Sequence, residues 1–147
     1  MSNVSHLQAV KIQARAVIPI VKALEAELGK ERAREIVGDA IAESWADYVG
    51  SKPRPASSHP SNAGDFDFPV ESIIARESDS EYGVDMQRCA FAEYFRSIGE
   101  PEIGSLLTCS VDFEVERRMR PDWTFRRSQT LMQGASHCDF RWTKNIP

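Results

Sequence analysis

The chain has 147 residues and a net charge of −4, with 41% of its residues hydrophobic and 27% charged. That length suits a single domain over 1–147, and such a domain buries roughly 68–70% of its unfolded surface, enough to fold without disulfide or metal. The acidic balance argues against a nucleic-acid partner, and no apolar run reaches the roughly 18 residues that a membrane span needs. The N-terminus shows no basic region followed by an apolar run, so its three cysteines are expected as reduced thiols in the cytoplasm.

Leu7, Val10, Ala14, Val17, Val21, Leu24 and Leu28 recur at alternating spacings of three and four, which places them on one helix stripe. Pro19 is expected to kink or split that helix, and Gly29 to cap it. The strict repeat also suits a seam between two copies of the chain. Three heptads is short for a homo-oligomer, however, and burial within the chain's own domain is the favoured expectation. Ala33, Ile36, Val37, Ala40, Ile41, Trp45, Tyr48 and Val49 predict the apolar face of a second helix ending at Gly50. Residues 1–50 therefore read as a helical hairpin. Residues 51–69 hold four prolines, four serines and one glycine, which no helix or central strand tolerates. They predict a long surface loop, with His59 in it expected to be solvated.

Residues 70–147 change character. Val70 to Arg76 suits a strand, and Tyr82, Val84 and Met86 alternate with Gly83, Asp85 and Gln87 as a half-buried strand does. Cys89 to Gly99 predicts a short helix with Phe91, Phe95 and Ile98 on its apolar face. Pro101 suits the first turn of another, carrying Ile103, Leu106, Leu107, Ser110 and Val111. Trp123 to Met132 and His137 to Thr143 flank QGAS, a β-hairpin signal in which Gly134 supplies a positive φ. The fold class is α+β: an N-terminal helical hairpin, then a small antiparallel sheet with packed helices that ends in the β-hairpin.

The chemistry-bearing residues are few. His137 and Cys138 are neighbours, so a regular strand sends them to opposite faces. Cys138 is expected inward with Phe140 and Trp142, and His137 toward a cleft or solvent. Cys109 and Asp112 are three apart and share a helix face, but a carboxylate there disfavours the thiolate. Cys89 opens a helix, where a thiol's pKa falls. Core packing is the plain alternative for these thiols. Three cysteines and a histidine suit a zinc site, yet no C-x₂-C spacing is present. The cluster Arg117, Arg118, Arg120, Arg126 and Arg127 is read as a solvated face balanced by Asp112, Glu114 and Glu116, with an anion site as the alternative.

In order, the chain presents Cys89, then Gly99, Pro101, Glu102, Cys109 and Asp112, then Arg127, Thr130, Gly134, Cys138, Asp139 and Phe140. Over about residues 80–143 this order resembles the L-2-amino-thiazoline-4-carboxylic acid hydrolase family. The ending is also similar to ligand-binding domains of the 4-vinyl-reductase type. The resemblance implies hydrolysis of a carbon–nitrogen bond in a small cyclic amidine. Two routes follow from it. In one, Cys109 or Cys138 attacks the amidine carbon with His137 as acid and base. In the other, a divalent metal held by cysteine, histidine or Asp112 generates hydroxide. Arg127 or Arg126 would hold the substrate carboxylate, with Cys89 beside it. The alternative is a non-catalytic binding or sensor module that uses the same cysteine-lined pocket for a small molecule, and a structural protein with core cysteines is a third.

Overall fold

The computed structural model describes residues 4–51, 59–63 and 68–147. Helix α1 (His6–Leu28) starts at Ser5, whose Oγ accepts the Gln8 N–H at 3.2 Å. It runs unbroken through Pro19, so the expected split does not occur. Pro19 lies on the exposed side of the helix, away from its packed face. Gly29 (φ 83°) ends the helix and donates its N–H to the Glu25 carbonyl. Val10, Ala14 and Val21 are buried from the predicted stripe, while Leu28 is exposed.

Helix α2 (Lys30–Gly50) completes the hairpin. Its buried positions are Ala33 and Ala46, and Ile36 and Tyr48 are exposed rather than on the packed face. The inner face is rotated toward small residues because α2 packs closely on α5 as well as α1. Arg34 ties the helices together, pairing with Glu25 at 2.6 Å and with Glu102 at 2.7 Å.

Of the predicted loop, residues 52–58 and 64–67 lie outside the described residues. Pro60–Ala63 forms one 3₁₀ turn. His59 is not simply solvated. Its Nδ1 accepts the Ser61 N–H, which leaves Nε2–H to donate to the Ser78 carbonyl at 3.0 Å. Its ring packs edge-on against Trp123 and Tyr82, because those aromatics offer an apolar rim to cover.

The sheet has strands β1 (Val70–Glu77), β2 (Glu81–Cys89), β3 (Trp123–Arg126) and β4 (Cys138–Lys144) in the antiparallel order β1-β2-β4-β3. Between β2 and β3 lie α3 (Ala90–Ser97), α4 (Pro101–Gly104), a π-helical turn (Ser105–Cys109) and α5 (Val111–Met119). The fold is α+β. No helix among the described residues is long and apolar enough to cross a membrane.

Strand β4 is central, with Met86 opposite Cys138, Val84 opposite Phe140 and Tyr82 opposite Trp142. The β3–β4 hairpin is present, but its connection is longer than the four residues predicted. Residues 127–137 leave the ladder because Asp139 takes the N–H groups of Ser128 and Gln129 at 2.9 and 2.8 Å. A turn then closes from Thr130 to Gly134, whose φ is 95°. Two apolar clusters form. One joins Val10 and Ala14 to Phe91, Phe95 and Met132. The other joins Tyr82, Trp123 and Trp142 across the sheet. In α3, Ile98 is exposed instead of core, since the helix ends before it.

Candidate functional site

A cavity of about 430 Å³ opens between the inner face of the sheet and α5, in the size range of small-molecule sites. Strand alternation sends Cys138, Phe140 and Trp142 into it from β4. Helix α5 contributes Asp112 and Glu116, one turn apart on one face. Just before α5, the π turn closes with Ser110 N–H on the Ser105 carbonyl at 2.8 Å. This extra residue resets the helical phase so that Thr108 and Cys109 also line the cavity. Cys89 enters from the end of β2. The three thiols therefore converge on one cavity from three separate elements.

The thiols are neutral. Burial pushes Cys109 up to about 12, and the nearby Asp112 charge adds to the rise. Burial also raises Cys138, although the Leu131 N–H, 3.2 Å from Sγ, pulls the other way. Cys89 is raised by burial, against a smaller pull from the α3 amides of Ala92 and Phe91. Native Cys109 is accordingly expected to react with iodoacetamide at pH 7.5 at least about 10²-fold more slowly than the same thiol in the denatured chain, and Cys89 and Cys138 to be slowed as well. Timed mass spectrometry reads the adducts, and one fast adduct on Cys109 would contradict this.

The carboxylates are differently placed. Asp112 Oδ2 accepts from Arg127 Nη1 at 2.6 Å, and Arg127 Nη2 donates to the Cys109 carbonyl at 2.8 Å. Arg127 is almost fully buried, with its guanidinium near the rings of Phe113 and Phe140. Asp112 keeps 37% of its side chain accessible and lines the cavity, so a ligand can reach it. Burial pushes its carboxyl up to about 6, against Arg127 and with a further push from Glu116. The acid thus changes charge close to neutral pH, as a proton-transfer group must.

His137 stands apart from these groups. It precedes β4 on the opposite face of the sheet, 3.9 Å from Asp85 Oδ1 and in contact with Gln129 and Ser136. It does not line the cavity that Cys138 enters. Arg126 is exposed on that same outer face, because Trp123 and Phe125 alternate inward. Arg117 and Arg118 do form the expected solvated face, each paired with Glu114. Arg120 does not: it is 4% exposed and lines the cavity, bound to Glu116.

Residues 9–142 match the profile of the L-2-amino-thiazoline-4-carboxylic acid hydrolase family. The chain belongs to this family. No curated protein matches it closely enough to be named as a relative. The family's name describes a hydrolase, and the cavity gathers Cys89, Cys109, Asp112, Arg127 and Cys138 from the residues that carry the resemblance.

Sequence reasoning places Glu116 and Arg120 in a solvated charge cluster, with an anion site as the alternative, and does not mark His6, yet all three line the cavity. Glu116 and Arg120 are spaced for a pair on one helix face, next to the apolar row Val111, Val115 and Met119, and that row was the available signal. His6 sits at the start of α1 with its ring against Trp45 and Phe91, and nothing in its sequence neighbourhood marks it. Among the described residues, no group of three or more His, Cys, Asp or Glu side chains is arranged to hold a metal ion.

Proposed function

We propose that the protein hydrolyses a carbon–nitrogen bond in a small cyclic amidine such as a 2-aminothiazoline carboxylate, with Asp112 as the proton acceptor. The observation that carries this reading is an aspartate that faces a mostly apolar cavity and is held by a buried arginine, a setting that raises its carboxyl above the ordinary aspartate range. At pH 7 the Asp112 carboxylate takes a proton from a water molecule. The water oxygen bonds to the amidine carbon, and the C=N electron pair moves to the ring nitrogen, which picks up the proton that Asp112 has just taken. When the tetrahedral adduct collapses, a C=O forms and the C–N bond breaks. The departing nitrogen carries both of the water's protons, the second returned by Asp112. Arg127 keeps the carboxylate oriented in both charge states. The neutral thiols of Cys89, Cys109 and Cys138 shape the wall beside it rather than attack.

The test is to incubate the purified protein with 2-amino-thiazoline-4-carboxylic acid and follow the mass of the small molecule. Gain of one water at many turnovers per chain is expected. Saturable binding with no mass change would instead make the protein a binding module, the second class considered from the sequence.

A further inference from the structure

We propose that the guanidinium of Arg120 is the docking point for a ligand carboxylate, and that the cavity therefore selects compact carboxylate-bearing molecules. The proposal rests on the reading of the cavity as a substrate site, but it concerns recognition rather than reaction.

Arg120 follows α5 and folds back onto it, its N–H bonded to the Glu116 carbonyl. Its side chain is buried and lines the cavity. The contact with Glu116 is made through one nitrogen only, Nη1 reaching Oε1 at 2.7 Å and Oε2 at 2.6 Å. Glu116 Oε2 also accepts the Trp142 Nε1–H at 2.8 Å, so this carboxylate is held from two sides and is not free to swing. Nε is buried with no partner, and Nη2 bonds to nothing among the described residues. The unused edge of the guanidinium is thus the Nε/Nη2 pair, whose two parallel donors match the two oxygens of a carboxylate; Nε is sealed from solvent, so a carboxylate engages this edge with a small shift of the Arg120 side chain. A buried donor left unpaired is costly and calls for a partner that the folded chain does not itself supply.

The other arginines are committed elsewhere. Arg127 spends Nη1 on Asp112 and Nη2 on the Cys109 carbonyl. Arg126 is exposed on the outer face of the sheet. Arg120 also stands at a useful distance. Its guanidinium is held at Glu116, which lies four residues, about 6 Å of helix rise, from Asp112. A molecule docked there by its carboxylate presents a group a few bonds away to Asp112. This favours a small ring bearing a carboxylate over a long chain. Two carboxylates and two arginines line this part of the cavity, so an entering anion meets no excess of negative charge.

Calorimetry tests this with two probes, 2-amino-thiazoline-4-carboxylic acid and 2-aminothiazoline without its carboxylate. The wild-type protein is expected to bind the acid about tenfold more tightly or better. Arg120→Gln is expected to bring the two affinities together, and Arg120→Lys to keep only part of the difference, since it retains charge without the two-donor edge. A preference retained in Arg120→Gln would overturn the proposal, as would equal binding of both probes to the wild type. The Arg120 variants also remove a charge from beside buried Glu116 and so risk misfolding. Proton–nitrogen spectra of the wild type therefore supply a second readout. The Arg120 Nε–H resonance is expected to shift when the acid is added and to stay still with the uncharged probe, and a resonance unmoved by the acid counts against the anchor. Binding of the acid through Arg120 without consumption would sink the hydrolase reading while leaving the anchor in place. Turnover with unchanged KM in Arg120→Gln would do the reverse.

Discussion

Asp112→Asn is expected to lower turnover of a cyclic amidine by about 10²- to 10⁴-fold, the usual contribution of a positioned proton acceptor. The substitution keeps the shape of the side chain and an oxygen for Arg127 Nη1, which donates to Oδ2 at 2.6 Å. What it removes is the basic site. It should not unfold the protein, because the native state already holds Asp112 neutral below about pH 6. The sign of the linkage supports this. The folded pKa, about 6, lies above the ordinary aspartate value of 3.8, so between these limits the folded chain binds more protons. This group's contribution to stability therefore falls as pH rises from about 4 to about 6, and is flat above. The asparagine variant lacks that fall, so its melting temperature relative to wild type should rise with pH across this window. A large loss of melting temperature at pH 7 in Asp112→Asn would mean that the charged pair with Arg127 is structural first, as removal of one member of a buried pair often shows.

Gly104→Ala is expected to be the most damaging glycine-to-alanine change among the described residues. A Cβ at Gly104 would collide with Phe95 Cγ and stand 2.6 Å from Phe95 Cβ. The second of these is the root of the side chain, so no rotamer of Phe95 clears it. Phe95 is itself fully buried in the cluster that joins α1 to α3. Relief requires α4 to move away from α3, and α4 leads directly into the π turn that presents Cys109. A loss of about 3 kcal/mol is expected, or about 6–12 °C in melting temperature at this chain length. Gly50→Ala is the control, since a Cβ there meets nothing within 4 Å. Equal melting temperatures for the two variants would contradict the packing account.

Much of this architecture is legible in the residues. The apolar spacing of α1 marks its buried row, and the alternation in β4 separates Cys138 from His137. That separation matters, because it removes the adjacent histidine and thiol as a catalytic pair. Other features depend on tertiary contacts that periodicity does not encode. The shift of the α2 face toward Ala33 and Ala46 comes from α5, a partner distant in sequence. The π turn at Ser105–Cys109 has no spacing signature, yet it decides that Cys109 and Asp112 both reach the cavity. The run RRMR hides two environments. Arg117 and Arg118 sit in solvent with Glu114, while Arg120 turns inward to Glu116, and only burial distinguishes them. The resemblance blocks divide in the same way. Cys89, Cys109, Asp112, Arg127 and Cys138 line the cavity. Gly99 and Gly134 hold positive φ angles, and Asp139 anchors the segment that carries Arg127.

The most direct test of Asp112 as the proton acceptor is the pH dependence of kcat/KM for 2-amino-thiazoline-4-carboxylic acid, in the wild type and in Asp112→Asn. The ionisable groups that share the cavity with Asp112 are Arg127, Glu116, Arg120, His6, Tyr82 and the three thiols. Histidine as a residue type can exchange a proton in this range, so His6→Asn belongs in the same series. The wild type and His6→Asn are expected to rise through an apparent pKa near 6 and level off above it, and the residual rate of Asp112→Asn is expected to be flat over that range. A limb near 6 that survives in Asp112→Asn, or that disappears in His6→Asn, would contradict the assignment of Asp112.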